Sequence, residues 1–143
     1  MTSLPPLHLI KLCVGADSVD DLARWQASRL LSQGRIVHVT RMRPKRAGEI
    51  LSGGSIYWVI KGVVQVRQRI VDMPKIVDSD GRAATELVLD NVLVAVRPRS
   101  HRAFQGWRYL SADDAPEDLV RSRGEGDALP PELASELADL GLL

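Results

Sequence analysis

The chain is poor in the residues that usually announce a chemistry. Its 143 residues include a single cysteine, Cys13, which excludes an intramolecular disulfide. Cys13 sits in an apolar, strand-like run, where a buried inert thiol is favoured over a nucleophile. The three histidines, His8, His38 and His101, are far apart, and no His or Cys pair has ligand spacing, so neither a metal nor a cofactor is expected. There is no G-x-S-x-G nucleophile motif. Gly53-Gly54 follows a helical pattern instead of opening one, so it reads as a turn and not as a phosphate cradle. Apolar runs such as LHLI and VLVAV fall far short of the roughly 18 residues a membrane span requires. The opening MTSLPPLHLIKLCV has no basic segment ahead of its apolar part and no small-residue cleavage site. The expectation is a cytoplasmic protein with no membrane contact.

What remains is the composition of one globular domain, 45% hydrophobic and 26% charged. The net charge of +1 conceals a polarity along the chain. Residues 24 to 108 carry sixteen Lys and Arg against six acids, whereas residues 109 to 143 carry two Arg against nine. Most of the cations are arginine, whose forked donors suit phosphate and whose plane stacks on rings. Compositional bias with an acidic, solubilising tail is one account of this polarity, and a nucleic-acid surface is the other.

Periodicity gives the order of elements. LHLIKLCV, residues 7 to 14, reads as a strand that ends at Gly15. Ser18 with Asp21 resembles a capping box for a helix whose apolar stripe includes Leu22, Gln26 and Leu30 and which stops at Gly34. IVHVTRM alternates as a second strand. Pro44 is placed to open a short helix, KRAGEILS, closed by Gly53-Gly54. The β-rich run from Ser55 to Val71 is too long for one strand and breaks at Gly62. Beyond the break, Val64, Val66, Gln68 and Ile70 share the inward face. SDGR marks a turn, TELVL and VLVAV read as a β-pair around Asp90-Asn91, and residues 101 to 110 as a further strand. Five or more short strands with two or three helices give an α+β domain around a small mixed or closed β-barrel, over residues 1 to 120. Residues 121 to 143 form an acidic tail, with a short amphipathic helix bearing Leu133, Leu137 and Leu140.

One constellation stands above background. Five of the six aromatics fall in two glycine-bearing, cation-rich segments, SIYWVIKG and FQGWRY. Exposed rings beside arginine offer stacking to unpaired bases and charge to phosphates. The same rings are also needed to fill the core of a chain with one Phe. Tyr57 and Trp58 are adjacent on a strand and point to opposite faces, so one is expected inside and the other available. The proposed lining is Arg41, Arg43, Lys45, Arg46, Trp58, Lys61, Trp107 and Arg108, with RNA or a nucleotide as the ligand. A catalytic alternative joins Lys61 to Glu49 or Thr40, acting on a modified nucleoside or similar small molecule. A third alternative makes the acidic helix near residues 130 to 141 a protein-interaction module.

The strings LHLIKLCVG, HVTRMRPKRAGEIL, GGSIYWVIKG, VRQRI, FQGWRYL and DAPEDL, over residues 7 to 119, resemble a bacterial family of unknown function. That resemblance implies no activity. More remotely, a strand, a short helix ending in EILSGG and an aromatic-led strand are similar to the opening of PUA-like domains, including the ASCH group. The resemblance implies a small β-barrel and, as in many PUA-like domains, RNA binding. ASCH proteins commonly place Lys, Glu and Arg after the helix-ending glycine. Ser55 to Val59 has none of them, so the likeness carries the barrel and not a hydrolase activity.

Overall fold

The computed structural model describes residues 6–119. The expected tail helix over residues 130 to 141 lies outside them. Seven strands and two helices follow one another as β1 (His8–Leu12), α1 (Val19–Gln33), β2 (Ile36–Thr40), α2 (Ala47–Leu51), β3 (Ser55–Ile60), β4 (Val63–Asp72), β5 (Lys75–Val77), β6 (Ala83–Ser100) and β7 (Trp107–Leu110). The strands form one mixed sheet in the order β2-β6-β4-β3-β1-β7, with β5 alongside β6, curled into a half-barrel. Only β1 and β3 pair in parallel; every other neighbour is antiparallel.

Local chemistry sets most boundaries. The Ser18 hydroxyl accepts the Asp21 N–H at 3.0 Å, and the Asp21 carboxylate accepts the Asp17 N–H at 3.1 Å. The Asp21 carboxylate thus caps the residue before the N-cap, where the Glu of a full capping box would take the Ser18 N–H itself. Gly34, at φ 75°, ends α1 with its N–H on the Leu30 carbonyl at 2.9 Å. α2 starts three residues later than Pro44 predicts: Arg46 is its N-cap, and Pro44 is buried ahead of it. Lys61-Gly62 is a two-residue hairpin with both residues at positive φ, 51° and 78°. Pro74, which cannot donate to a ladder, separates β4 from β5.

The expected hairpin at Asp90-Asn91 does not form. β6 runs unbroken for 18 residues, and three of its residues, Asp90 to Val92, face Arg69 alone. Residues with turn chemistry here make a wide bulge, whose carbonyl at Asp90 accepts from the Gln68 side chain at 2.7 Å. A second irregularity sets Val96 to Pro98 against Gln65. Such bulges bend a long strand and give the sheet its curl. In β4 the bulge at Gln65 also splits the predicted inward face. Val66 and Ile70 pack with Leu9, Ile56 and Trp58 on the face carrying both helices, whereas Val64 turns to the other face.

Each face of the sheet therefore has its own core. Leu22 of α1 and Ile50 of α2 close the larger one. Ile10, Tyr57, Val59, Val64, Val96 and Phe104 form the smaller, covered by Leu110 and Ala115. The strand expected over residues 101 to 110 is limited to Trp107–Leu110, since Phe104 is drawn into this second core. Acidic residues beyond Ala112 dock here too: Asp118 pairs with Arg67, and Glu117 lies 3.9 Å from Arg97. Part of the acidic C-terminal stretch thus neutralises the basic middle of the chain.

Candidate ligand site

The structure disperses much of the predicted cleft. β3, hydrogen-bonded on both sides with a core on each face, is buried at every residue. Trp58 is 1% exposed and Tyr57 4%, so neither ring faces out. Two opposed cores leave no solvent side for the alternation to use. Trp58 instead donates its indole N–H to Gln68 at 3.2 Å. Arg108 projects to the opposite face of β7 from Trp107 and lies over Phe104 at 4.9 Å. Lys61 occupies the hairpin at the far end of β3 from α2.

The catalytic grouping fails by distance. β3 separates Lys61 from the end of α2 by about 17 Å of extended chain. Glu49 is held by Arg46 through two bonds of 2.6 and 2.7 Å, which keep its carboxyl below the usual range. Thr40 is buried opposite Thr85 at the end of β2, three strands from β3.

Other predicted residues do meet. The Trp107 indole donates to the Met42 carbonyl at 2.9 Å, and the Tyr109 hydroxyl accepts the Arg46 N–H at 3.1 Å. Residues 41 to 46 thus cross the helix-bearing face to reach β7 at the sheet edge. Their charges are partly committed: Arg41 pairs with Asp78 at 2.7 Å, and Arg46 with Glu49. Arg43 donates to the Met73 carbonyl at 3.2 Å and keeps its charge unpaired among the described residues, as does exposed Lys45.

Beside this crossing lies a feature the sequence did not single out. Trp25, His38 and Trp58 follow one another as a ladder of tilted rings, with centroids 4.8 and 4.6 Å apart and planes inclined at 51° and 49°. Trp58 is the buried end, and Trp25 is 39% exposed. A cavity of about 180 Å³ opens at the outer end, lined by Cys13, Gly15, Asp21, Leu22, Trp25 and His38 among others. Arg29 lies 4.5 Å over the Trp25 ring. Lys11, half-buried, stands in register between Trp58 of β3 and Trp107 of β7. Neither Lys11 nor Arg29 has an acidic partner among the described residues.

A buried hydrogen-bond chain fixes the polarity of this ladder. Trp58 Nε1–H can only donate and the Asp90 carbonyl can only accept, so Gln68 must turn its oxygen to the first and its nitrogen to the second. That orientation dictates Gln26, which exchanges two bonds of 2.8 Å with Gln68. The second N–H of Gln26 then faces His38 Nε2 at 3.5 Å, the long end of the hydrogen-bond range. Nε2 is thereby assigned as the acceptor, and the neutral ring carries its proton on Nδ1. Burial, with Lys11 and Arg29 adding repulsion, lowers the His38 pKa to about 4. Burial pushes the Cys13 thiol up to about 11, against a smaller pull from Lys11, so it is not a nucleophile at neutral pH.

The cavity therefore presents an aromatic surface, a neutral imidazole and the Asp21 carboxylate, which Arg24 pairs, while Lys11 and Arg29 stand at its margin. Periodicity assigned His38 to a strand and Trp25 to a helix without using their chemistry. The available signal was Trp25 flanked by Arg24 and Arg29 on the border of the α1 apolar stripe. Among the described residues no His, Cys, Asp and Glu group has the arrangement of a metal site, and no helix is long and apolar enough to cross a membrane.

No curated protein and no solved structure matches this chain. The family described as Protein of unknown function (DUF1489) matches residues 9–143, so it takes in the acidic tail as well as the half-barrel. The chain belongs to the DUF1489 family.

Proposed function

We propose that the half-barrel binds a nucleotide or a short single-stranded segment of RNA at the Trp25–His38 cavity. The observation that carries this reading is the pair of cations without acidic partners, Lys11 and Arg29, beside a ladder of rings that opens to solvent at Trp25. A cavity of about 180 Å³ has room for one ring and not for a whole nucleotide, so sugar and phosphate extend over the surface. There they meet Lys11 and, along the crossing segment, Arg43 and Lys45. Trp107, the cross-strand neighbour of Lys11, would flank the bound ligand, while Trp58 supports the ladder from below. The motif-level likeness to PUA-like domains, many of which bind RNA, points the same way.

Tryptophan fluorescence tests the reading, with adenosine and uridine monophosphates and short oligo-A and oligo-U strands as probes at low salt. Saturable quenching is expected. Trp25→Ala should weaken binding by about 1–3 kcal/mol, the range for one stacked base. Lys11→Ala should reduce the salt dependence by roughly 0.7 in the slope of log K against log salt. No binding by any probe at low salt, or binding indifferent to both substitutions, refutes the proposal.

A further inference from the structure

On the face of the sheet opposite the helices lies a groove of about 450 Å³, the size of a small-molecule site. His8, Tyr57 and Arg67 line it from the sheet, and Pro116 to Asp118 line its other wall. The main-chain N–H of Ser55 donates to His8 Nδ1 at 2.9 Å, which assigns the neutral ring's proton to Nε2. His8 is 8% exposed and Tyr57 4%, and their rings meet edge to face at 5.1 Å. Neither His8 Nε2–H nor the Tyr57 hydroxyl has a partner among the described residues. Buried polar groups normally do, because leaving one unpaired costs about 1–3 kcal/mol.

Arg67 completes the set. Tyr57 and Arg67 are cross-strand partners. Asp118 takes the Nε and Nη2 edge of the guanidinium at 2.7 and 2.8 Å, and Ser55 Oγ accepts from Nη1 at 3.0 Å. Two of the five guanidinium N–H groups are left over. The unassigned polar groups on the sheet side are therefore nearly all donors. Asp118 has already cancelled the Arg67 charge, and Glu117 adds a further negative charge on the wall. A multiply charged oxyanion is disfavoured there, while a neutral or singly charged acceptor is not.

We infer that this groove is a second ligand site, which takes a small organic molecule by a carbonyl or carboxylate oxygen held by His8 Nε2–H, the Tyr57 hydroxyl and Arg67. It shares no residue with the Trp25–His38 cavity, and stands whether or not that cavity binds nucleotides. The Tyr57 hydroxyl is the discriminating atom. Were it structural, deleting it would lower stability; held open for a ligand, its deletion leaves stability intact and removes binding.

The full chain, with its histidine and tyrosine side chains isotopically labelled, is titrated with benzoate, benzamide and inorganic phosphate by NMR. At up to roughly 10 mM, a range that detects millimolar affinity, benzoate or benzamide should shift the His8 and Tyr57 signals saturably. Benzoate alone identifies a carboxylate ligand and benzamide alone a carbonyl ligand. Tyr57→Phe should weaken that binding at least fivefold with no fall in melting temperature, and Trp25→Ala should leave it unchanged. Shifts from phosphate alone, no saturable shift from either organic probe, or a Tyr57→Phe protein that binds equally well or melts lower, overturns the inference.

Discussion

The side-chain amides of Gln26 and Gln68 exchange two hydrogen bonds of 2.8 Å, joining α1 to β4 across 42 positions of sequence. Both residues are buried, and Gln68 is fully so. In the low dielectric between helix and sheet, each amide is what makes the other's burial tolerable.

Gln68→Leu should destabilise the domain by about 2–3 kcal/mol, because it strands the Trp58 indole, the Asp90 carbonyl and the Gln26 amide together. Gln26→Leu should cost less, since Gln68 keeps two of its partners. The double substitution should fall short of the sum by about 1 kcal/mol, read from urea unfolding. Additive costs would mean that the two amides are not coupled.

Acid should weaken the protein before its carboxylates titrate. The folded-state pKa of His38 is depressed to about 4, against 6.5 as its ordinary value. Between these values the unfolded chain binds the proton and the folded chain does not. The stability is therefore complete above pH 6.5 and is lost as pH falls toward 4, by roughly 2–4 kcal/mol. His8, lowered by burial and by Arg67, contributes with the same sign. Urea midpoints measured against pH should slope less in His38→Gln; an equal slope would assign the effect elsewhere.

Two glycines near α2 should respond oppositely to alanine. A Cβ on Gly54 would overlap the Leu7 carbonyl oxygen and lie 2.7 Å from the Ile50 carbonyl oxygen. Both are backbone atoms, so Gly54→Ala should cost at least about 3 kcal/mol. Gly48, within α2 and facing open space, should gain roughly 0.5–1 kcal/mol as alanine. Thermal melts of the two variants decide the matter, and a well-folded Gly54→Ala protein would contradict the close approach of the Leu7 and Ile50 backbone to Gly54.

Lys61 is the one described non-glycine residue at positive φ, and the strain belongs to a turn instead of a site. Lys61→Asn should raise stability by roughly 0.5–1 kcal/mol, because Asn tolerates the left-handed region better. Nucleotide binding should be unaffected. A variant that melts unchanged but loses ligand would return Lys61 to the functional surface.

The fold was legible wherever one residue's local chemistry settles the outcome. Ser18 and Gly34 bracket α1, Lys61-Gly62 reverses the chain, and the β-rich run divides as its glycine implies. It was illegible wherever the same chemistry serves two ends. Asp90 and Asn91 suit a hairpin and equally a bulge, and only the unbroken partner strand β4 selects the bulge. Gln65 carries no mark of the irregularity that sends Val64 and Val66 to different faces.

The site divides along the same line. RMRPKRAGEILSGGSIYWVIKG and FQGWRYL do adjoin, through Trp107 on Met42 and Tyr109 on Arg46, as their shared composition led one to expect. What the sequence by itself determined is the stock of rings and cations, together with the local turns and caps, because these follow from single residues and their immediate neighbours. Tertiary structure alone decided which of them are available. Burial depends on how many layers cover a strand, and charge on which acid folds back upon it. A core on each side buried the Trp58 ring and left Tyr57 only its place in the lining of the groove beside His8, and Asp78 and Glu49 claimed Arg41 and Arg46. Lys11, Arg29 and Trp25, from a strand and a helix that read as ordinary, were left beside the open cavity.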